Sequence, residues 1–214
     1  MISELRAELL RRAEQDQAAR AEPGPDWMMV AMVDAGNLTW RKVVVAEAGW
    51  PGRSVVGKDG AHAAWLLAQH ADRDPAFQRR CLDLITEAVK SGEASPADLA
   101  YLTDRVLLAE GQPQEYGTQM TGREDGWVPR RLRDPETVDE RRAAMSLGPL
   151  SENIARITRR YGPPTPATLT CAQCGESVGF WPPDKGETRH IRCAACSSIT
   201  TLTVHAGAEP PQTG

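Results

Sequence analysis

Four cysteines near the C-terminal end of the chain constrain its fold more than any other feature. They form two Cys-x-x-Cys pairs, Cys171/Cys174 and Cys193/Cys196, with eighteen residues between the pairs. Two such pairs at this separation are typical of a tetrahedral zinc site with four thiolate ligands. Because four protein ligands fill the coordination shell, the sequence predicts one structural Zn²⁺ ion rather than a catalytic one.

The composition is typical of a globular protein that is not exported. The chain has 214 residues, of which 25% are charged, and its net charge is −4. No apolar stretch reaches the roughly 20 residues that a membrane span requires. Residues 1–20 are charged from the start, so we expect no signal peptide and a cytoplasmic protein. In a reducing cytoplasm, paired cysteines bind zinc more often than they form disulfides.

The charge distribution argues against a nucleic-acid partner. Residues 163–214 contain three basic and four acidic side chains. Phosphate binding requires a concentrated positive surface, which this region lacks by count. One alternative stays open, a local basic patch formed by Arg156, Arg159, Arg160, Arg189 and Arg192.

Residues 1–160 show helical periodicity with short connections. Asp74-Pro75 and Ser95-Pro96 are helix start signals, since proline is favoured in the first turn after a capping residue. The apolar segment 27–33 is ambiguous between helix and strand, and residues 112–135 are rich in turns. The predicted helices cover about residues 3–21, Asp34 or Asn37 to Ala48, 60–70, 75–90, 96–111, 135–142 and 150–160.

These patterns predict a mainly α protein, in which a compact multi-helix domain is followed by a small β zinc-ribbon module. The helical domain covers residues 1–160, and a stiff linker with three prolines covers 161–168. The ribbon covers 169–205, where β-branched and aromatic residues replace the helical pattern. Residues 206–214 form a polar tail that we expect to be disordered.

Several bulky or reactive side chains of the helical domain are expected to be structural. Trp40, Trp50 and Trp65 are interpreted as core anchors, and Gly49-Trp50-Pro51-Gly52 as a rigid turn. Cys81 shares a helical face with apolar residues and is interpreted as a small buried hydrophobe. His62 is expected to face solvent.

An ordered set of short polar segments gives the chain a family resemblance. The segments are Asp16-Gln17-Ala18-Ala19-Arg20, Asp34-Ala35-Gly36-Asn37, Gly49-Trp50-Pro51, Gly57, Gln69-His70, Ala100-Tyr101-Leu102-Thr103-Asp104-Arg105 and Tyr116-Gly117-Thr118-Gln119. In this order the set resembles the bacterial DUF6624 domain and covers about residues 5–120. The resemblance implies a fold and a shared residue set, but no reaction, and the ribbon lies outside it.

The polar residues of this set suggest a common pocket, because such groups are costly to bury unless they are paired. His70 is the candidate acid or base, with Asp104 to orient it or to act as a second carboxylate with Asp16. Arg20 and Arg105 are candidate clamps for an anionic group. Candidate catalytic residues are thus His70, Asp104 and Arg105, and candidate ligand-binding residues are Asp16, Gln17, Arg20, Asn37, Gln69, Tyr116 and Gln119.

Structural interpretations of the same residues stay open. His70 ends a predicted helix and can interact with its last carbonyls. Asp16 with Arg105, or Asp104 with Arg20, can form buried structural ion pairs. Because Asp104 and Arg105 are adjacent in a helix, they do not face each other.

Two functional hypotheses follow. In the first, the helical domain binds a small anionic ligand or a protein partner, with Phe180 and Trp181 either exposed for docking or packed in the ribbon core. In the second, the domain is a hydrolase or transferase centred on His70, Asp104 and Arg105. The sequence contains no phosphate-binding loop, dinucleotide fingerprint, metalloprotease helix or nucleophile elbow, so no motif selects between the two.

Overall fold

The computed structural model describes residues 2–21, 26–184 and 186–203. Seven α-helices and three two-stranded antiparallel hairpins occur among these residues. The helices are α1 Ile2–Ala19, α2 Trp27–Ala48, α3 Arg53–Gln69, α4 Pro75–Lys90, α5 Pro96–Ala109, α6 Val138–Ala144 and α7 Leu150–Tyr161. The strands are β1 Met120–Arg123, β2 Gly126–Pro129, β3 Ala167–Thr170, β4 Ser177–Phe180, β5 Thr188–Arg192 and β6 Ile199–Thr203. The mainly α fold with an appended β module is confirmed.

The chain divides into two compact units. The first comprises residues up to 106 together with 144–147, and it contains α1 to most of α5. The second comprises 107–143 and the residues from 148 onward, and it contains α7 and all three hairpins. The predicted disordered tail 206–214, and the turn predicted after α1 at Pro23 to Pro25, lie outside the described residues.

Capping residues set the starts of α4 and α2. The start of α4 agrees with the prediction, whereas α2 starts earlier than predicted. Asp74 caps α4 by accepting from the amide of Phe77 at 2.9 Å, as predicted. Asp26 caps α2 by accepting from the amides of Met28 and Met29. The ambiguous segment 27–33 is therefore helical, and the predicted start of this helix at Asp34 or Asn37 was wrong.

The start of α3 depends on a residue that is distant in the sequence. Gly52 at the N-cap has no side chain, and the Glu93 carboxylate accepts instead from the amide of Ser54 at 2.7 Å. The helix therefore begins at Arg53, with a kink at Gly57, where φ is +76°. The predicted start near residue 60 was wrong because this capping group is not local.

The core of the first unit is built around α3. Small residues on this helix, including Ala61 and Ala64, are buried and pack against Leu9 of α1. On another side, Trp65 joins a cluster that contains Cys81, which is completely buried as predicted. Because alanine side chains allow the helices to approach closely, polar residues at the helix ends are brought together.

The ribbon is attached to the hairpin β1–β2, which the sequence analysis missed in residues 112–135. Asp184 accepts from Arg123 Nη2 at 3.1 Å and from Arg130 Nε at 2.9 Å. Gly122 of β1 lies against Pro164 and the Trp181 ring. Trp181 is thus half-buried, and its neighbour Phe180 is buried in the ribbon.

No helix among the described residues is long and apolar enough to cross a membrane.

Gly122→Ala is expected to destabilise the second unit. An added Cβ would lie 2.6 Å from Pro164 Cβ and 3.3 Å from the Trp181 ring, which forces a backbone shift. We expect a loss of about 1–3 kcal/mol in the free energy of unfolding, measured by urea denaturation with tryptophan fluorescence.

The matched control is Gly36→Ala, at a helical position where an added Cβ meets nothing within 4 Å. This change should leave stability unaltered or raise it by up to about 1 kcal/mol. Equal stability of Gly122→Ala and the wild type would contradict the observed packing.

Candidate functional site

The four cysteine sulfurs converge into a compact cluster. Cys171 Sγ lies 3.7 Å from Cys196 Sγ, and Cys174 Sγ lies 3.6 Å from Cys193 Sγ. All four sulfurs lie within 4.8 Å of one another. A tetrahedron with Zn–S bonds of about 2.3 Å has edges of about 3.8 Å, close to these separations. The cluster can therefore hold one metal ion, and its four-sulfur donor set fits zinc.

The two knuckles that carry the sulfurs have the same backbone pattern. In the first, Gly175 N donates to Cys171 O, and Cys171 N donates to Glu176 O, each at 2.8 Å. In the second, the equivalent bonds join Ser197 to Cys193 and Cys193 to Ser198 at 2.9 Å. The fourth residue after the first cysteine has positive φ in both knuckles, as Gly175 at +75° and Ser197 at +63°.

Ser198 supports the sulfur cluster and was not identified from the sequence. Its Oγ lies 3.1 Å from both Cys171 Sγ and Cys196 Sγ. Metal-bound thiolates are hydrogen-bond acceptors, so the single hydroxyl hydrogen can be donated to one of these two sulfurs. The Ser198 hydrogen bond is also the main reason why the pKa of Cys171 is lowered to about 6.

A second cluster lies in the first unit and is centred on Asp16 of α1. This carboxylate is completely buried, and both of its oxygens lie 2.9 Å from His70 Nδ1. Gln17 Nε2 donates to Asp16 Oδ2 at 2.9 Å. Burial acts to raise the pKa of Asp16, but the hydrogen bond and charge of His70, together with Arg20, bring it below its ordinary value. Asp16 is therefore an ionised acceptor beside the imidazole.

Arg20 connects this carboxylate to α2. Its Nη1 donates to Asp16 Oδ1 at 2.8 Å, and its Nη2 donates to both oxygens of Asp34 at 2.7 Å. Burial raises the pKa of Asp34, and the Arg20 contacts offset this only in part. Since one guanidinium serves two carboxylates, this cluster has an excess of negative charge when His70 is neutral.

Arg105 of α5 has a carboxylate partner of its own. Its Nε and Nη2 donate to the two oxygens of Asp72, which follows His70 by two residues. Gln78 Nε2 also donates to Asp72 at 3.1 Å. Burial acts to raise the pKa of Asp72, but the charge and hydrogen bonds of Arg105 outweigh it and lower the pKa to about 2.

The backbone and the side chain of His70 make separate contacts. It is the C-cap of α3, and its amide donates to Leu66 O at 3.2 Å. Its imidazole, however, is directed to Asp16 rather than to the last carbonyls of the helix. The side chain is 15% exposed, so it is largely enclosed but still reaches solvent.

The structure brings only some of the predicted residues into this cluster. Asp16, Gln17, Arg20 and His70 meet as described. Asn37 is buried and accepts from Arg12 Nη1 at 3.1 Å. The buried Gln69 precedes His70, and within the described residues its Oε1 has no donor.

The contacts observed for the remaining predicted residues do not include His70. Asp104 is completely buried in α5, but the contact that orients His70 comes from Asp16. Tyr116 and Gln119 belong to the second unit. There the Tyr116 carbonyl accepts from Arg142 at 2.6 Å, and Gln119 Nε2 donates to Thr118 Oγ1 at 3.1 Å.

The observed ion pairs differ from the pairs that the sequence suggested. Arg20 bonds to Asp16 and Asp34, whereas Arg105 bonds to Asp72. Asp34 is the first residue of one of the polar segments described above. Asp72 was not identified from the sequence, although its His-x-Asp spacing from His70 could have indicated it.

Asp16, Asp34 and His70 also have the residue types of a metal site. One ligand atom from each lies within 4.8 Å of the others. Arg20, however, hydrogen-bonds to both carboxylates and supplies the cation between them. The observed arrangement is thus a carboxylate–histidine pair whose carboxylate is also hydrogen-bonded to an arginine.

Ser198→Ala is expected to weaken zinc binding. The change removes the hydroxyl that contacts two of the sulfurs and can donate to one of them, and loss of such supporting contacts typically lowers metal affinity about tenfold or more. Competition with a chromogenic chelator measures the affinity, and the wild type should bind one equivalent.

Ser197→Gly is the control for this experiment, since it changes the adjacent serine. Residue 197 has positive φ, which glycine adopts without strain, so the variant should bind zinc at least as tightly as the wild type. Unchanged affinity in Ser198→Ala would show that the hydroxyl does not support the sulfurs.

Asp72→Asn is expected to change how stability depends on pH. A lowered pKa in the folded state contributes stability that is present above pH 4 and is lost as the pH falls toward 2. The variant should therefore be less stable than the wild type at pH 7, by about 1 kcal/mol for this partly exposed pair, and should approach it near pH 2. Urea denaturation across this range measures the difference.

Glu87→Gln is the control, because Glu87 and Lys90 form a more exposed ion pair on α4. That variant should show almost no difference at any pH. A constant stability deficit of Asp72→Asn between pH 7 and pH 2 would exclude the proposed linkage.

Comparison with known protein families finds one match. A family model described as "Family of unknown function (DUF6624)" matches residues 3–164. No curated protein and no solved structure gives a significant match. The match covers most of the chain and includes Asp16, Arg20, Asp34, His70, Asp72 and Arg105, whereas the four cysteines lie beyond it. The chain therefore belongs to the DUF6624 family and carries a four-cysteine cluster after the family domain.

Proposed function

We propose that the first unit is an acid–base enzyme in which His70 transfers a proton through Nε2 and Asp16 orients the imidazole. The observation that carries this proposal is the contact of His70 Nδ1 with both oxygens of the buried Asp16, each at 2.9 Å. A carboxylate that holds one ring nitrogen fixes the tautomer and the direction of the other nitrogen.

The protonation of this pair follows from its chemistry. An ionised Asp16 only accepts hydrogen bonds, so His70 Nδ1 must carry the hydrogen. In the neutral imidazole, Nε2 then has a free lone pair and can accept a proton from a substrate hydroxyl, amine or water. Once Nε2 has accepted this proton, the negative charge of Asp16 stabilises the imidazolium until Nε2 returns the proton to the leaving group.

Arg20 and Asp34 would act on Asp16 rather than on the substrate. The positive charge of Arg20 lies beside Asp16 and, together with the hydrogen bond from His70, keeps this buried carboxylate ionised. Asp34 accepts hydrogen bonds from Nη2 of the same guanidinium and fixes its orientation. This arrangement supports positioning roles for both residues.

The class of substrate is proposed only as far as the chemistry allows. A hydrolase or transferase reaction requires a group that activates water or a hydroxyl, which Nε2 of His70 can provide. The anion clamp predicted for Arg20 and Arg105 stays a prediction, and it requires each guanidinium to exchange a carboxylate partner for the ligand. Asp104 stays a candidate second carboxylate.

The four-cysteine cluster would hold one structural Zn²⁺ and fold the ribbon. We assign it no step in the reaction. The other hypothesis, a binding module for a small anionic ligand or a protein partner, stays a prediction, as do the cytoplasmic location and the absence of nucleic-acid and membrane partners.

Two measurements test the proposal. Nitrogen-15 NMR of the histidine ring at pH 8 should find the hydrogen of neutral His70 on Nδ1 in the wild type, and a shift toward Nε2–H in Asp16→Asn. A panel of ester, amide and phosphoester substrates should identify an activity that falls at least about a hundredfold in His70→Gln.

His62→Gln is the matched control, because His62 also contacts a carboxylate, Asp98, but its side chain is 58% exposed. This variant should keep full activity. Hydrogen on Nε2 of wild-type His70, or an activity that His70→Gln retains, would overturn the proposal.

A further inference from the structure

Among the residues that the structure describes, Arg41 of α2 is a buried cation without a carboxylate partner. Its side chain is completely buried among the residues around α2 and α4. Within the described part of the chain, none of its three guanidinium nitrogens has a hydrogen-bond acceptor. A guanidinium keeps its charge in a protein, so it cannot avoid this environment by losing a proton. A buried charge of this kind requires an acceptor.

The nearest groups do not supply a negative charge. Trp50 lies with its ring centroid 5.5 Å from Arg41 Cζ, which gives a cation–π contact. The Cys81 thiol also interacts with Arg41, but burial raises the pKa of Cys81 to about 11, so the thiol is neutral at physiological pH. The indole of Trp50 and the thiol of Cys81 are thus both neutral neighbours of Arg41.

A second hydrogen-bond donor in the same place is also without an acceptor. Trp50 Nε1 is buried and has no acceptor among the described residues. Its indole packs against the guanidinium of Arg41. Two neighbouring side chains therefore present only donors, which is the pattern that an anion satisfies.

The charges around this position also favour an anion. Arg80 and Arg41 both act on Cys81 as positive charges, whereas Asp74 acts as a negative charge. Asp74 is already paired with Lys42 at 2.5 Å. The charges that act on Cys81 beside Arg41 therefore comprise two arginines and one carboxylate, and this carboxylate also pairs with Lys42.

We propose that Arg41 and Trp50 Nε1 bind a small inorganic anion, for which chloride is the probe, in the interior of the first unit. The site involves neither Asp16 nor His70 and does not depend on the proposed reaction. Bound chloride would accept from the guanidinium and from the indole N–H, and it would neutralise the buried charge.

The surroundings favour a small anion over a large one. Trp50 lines a surface cleft of 340 Å³, and the cleft also contains the carboxylates of Glu87 and Glu93. Arg41 itself is not exposed. Acidic side chains in the cleft repel phosphate and dicarboxylates strongly, whereas a monovalent ion meets a weaker barrier.

The test is the chloride dependence of thermal stability at constant ionic strength. Chloride is exchanged stepwise for gluconate, and the melting temperature of the zinc-loaded full chain is measured at each step. Because a ligand that binds only the folded state stabilises it, the wild type should melt about 3 °C higher at a chloride concentration roughly ten times the dissociation constant.

Two variants show whether Arg41 is responsible. Arg41→Met should lose the chloride dependence, whereas Arg80→Met, which removes an exposed positive charge near by, should keep it. Cys81→Ala should also keep it, because the thiol is not the anion. If Arg41→Met does not fold, bromide-soaked crystals of the wild type should show an anomalous peak within hydrogen-bond distance of Arg41.

Either of two results would overturn the proposal. The first is an equal melting temperature of the wild type in chloride and in gluconate, and the second is a loss of the chloride dependence in Arg80→Met as well as in Arg41→Met. A chloride dependence that is absent from the wild type and appears in Cys81→Ala would assign the charge partner of Arg41 to the thiolate and would equally contradict the anion site.

Discussion

The buried carboxylate of Asp16 is the interaction on which the first unit depends. It receives hydrogen bonds from His70 at the end of α3 and from Arg20, which directly follows α1. Arg20 in turn holds Asp34 on α2. A carboxylate without these partners would be strongly destabilised in this position. The same contacts that make its burial tolerable also fix the imidazole, so structure and proposed chemistry share one set of hydrogen bonds.

The second unit depends on a different kind of interaction. Its ribbon has a small apolar core in which Phe180 and Ile191 are buried, and a metal ion would provide much of its stability. The ribbon is nevertheless tied to the hairpin β1–β2 through Asp184 and its two arginines. Packing against this hairpin therefore helps to hold the ribbon, and a metal ion bound by the four cysteines would add to its stability.

Sequence analysis succeeded where the determining groups are local. The two cysteine pairs fold as separate knuckles, and Asp74 caps the helix that directly follows it. It failed where the partner is distant in the sequence, since Glu93 caps a helix that begins forty residues earlier. The cluster centred on Asp16 shows both a success and a failure of the sequence analysis. Asp16 and His70 were singled out, but their direct contact and the role of Asp72 depend on helix packing that periodicity does not encode.

A double-mutant cycle on Asp16 and His70 tests the central claim most directly. The free energy of unfolding is measured by urea denaturation for the wild type, Asp16→Asn, His70→Gln and the double variant. Because the two side chains interact directly within a buried network, we expect a coupling energy of about 1–2 kcal/mol. Effects that add to within about 0.5 kcal/mol would mean that the two residues act independently, and the account of the first unit would be wrong.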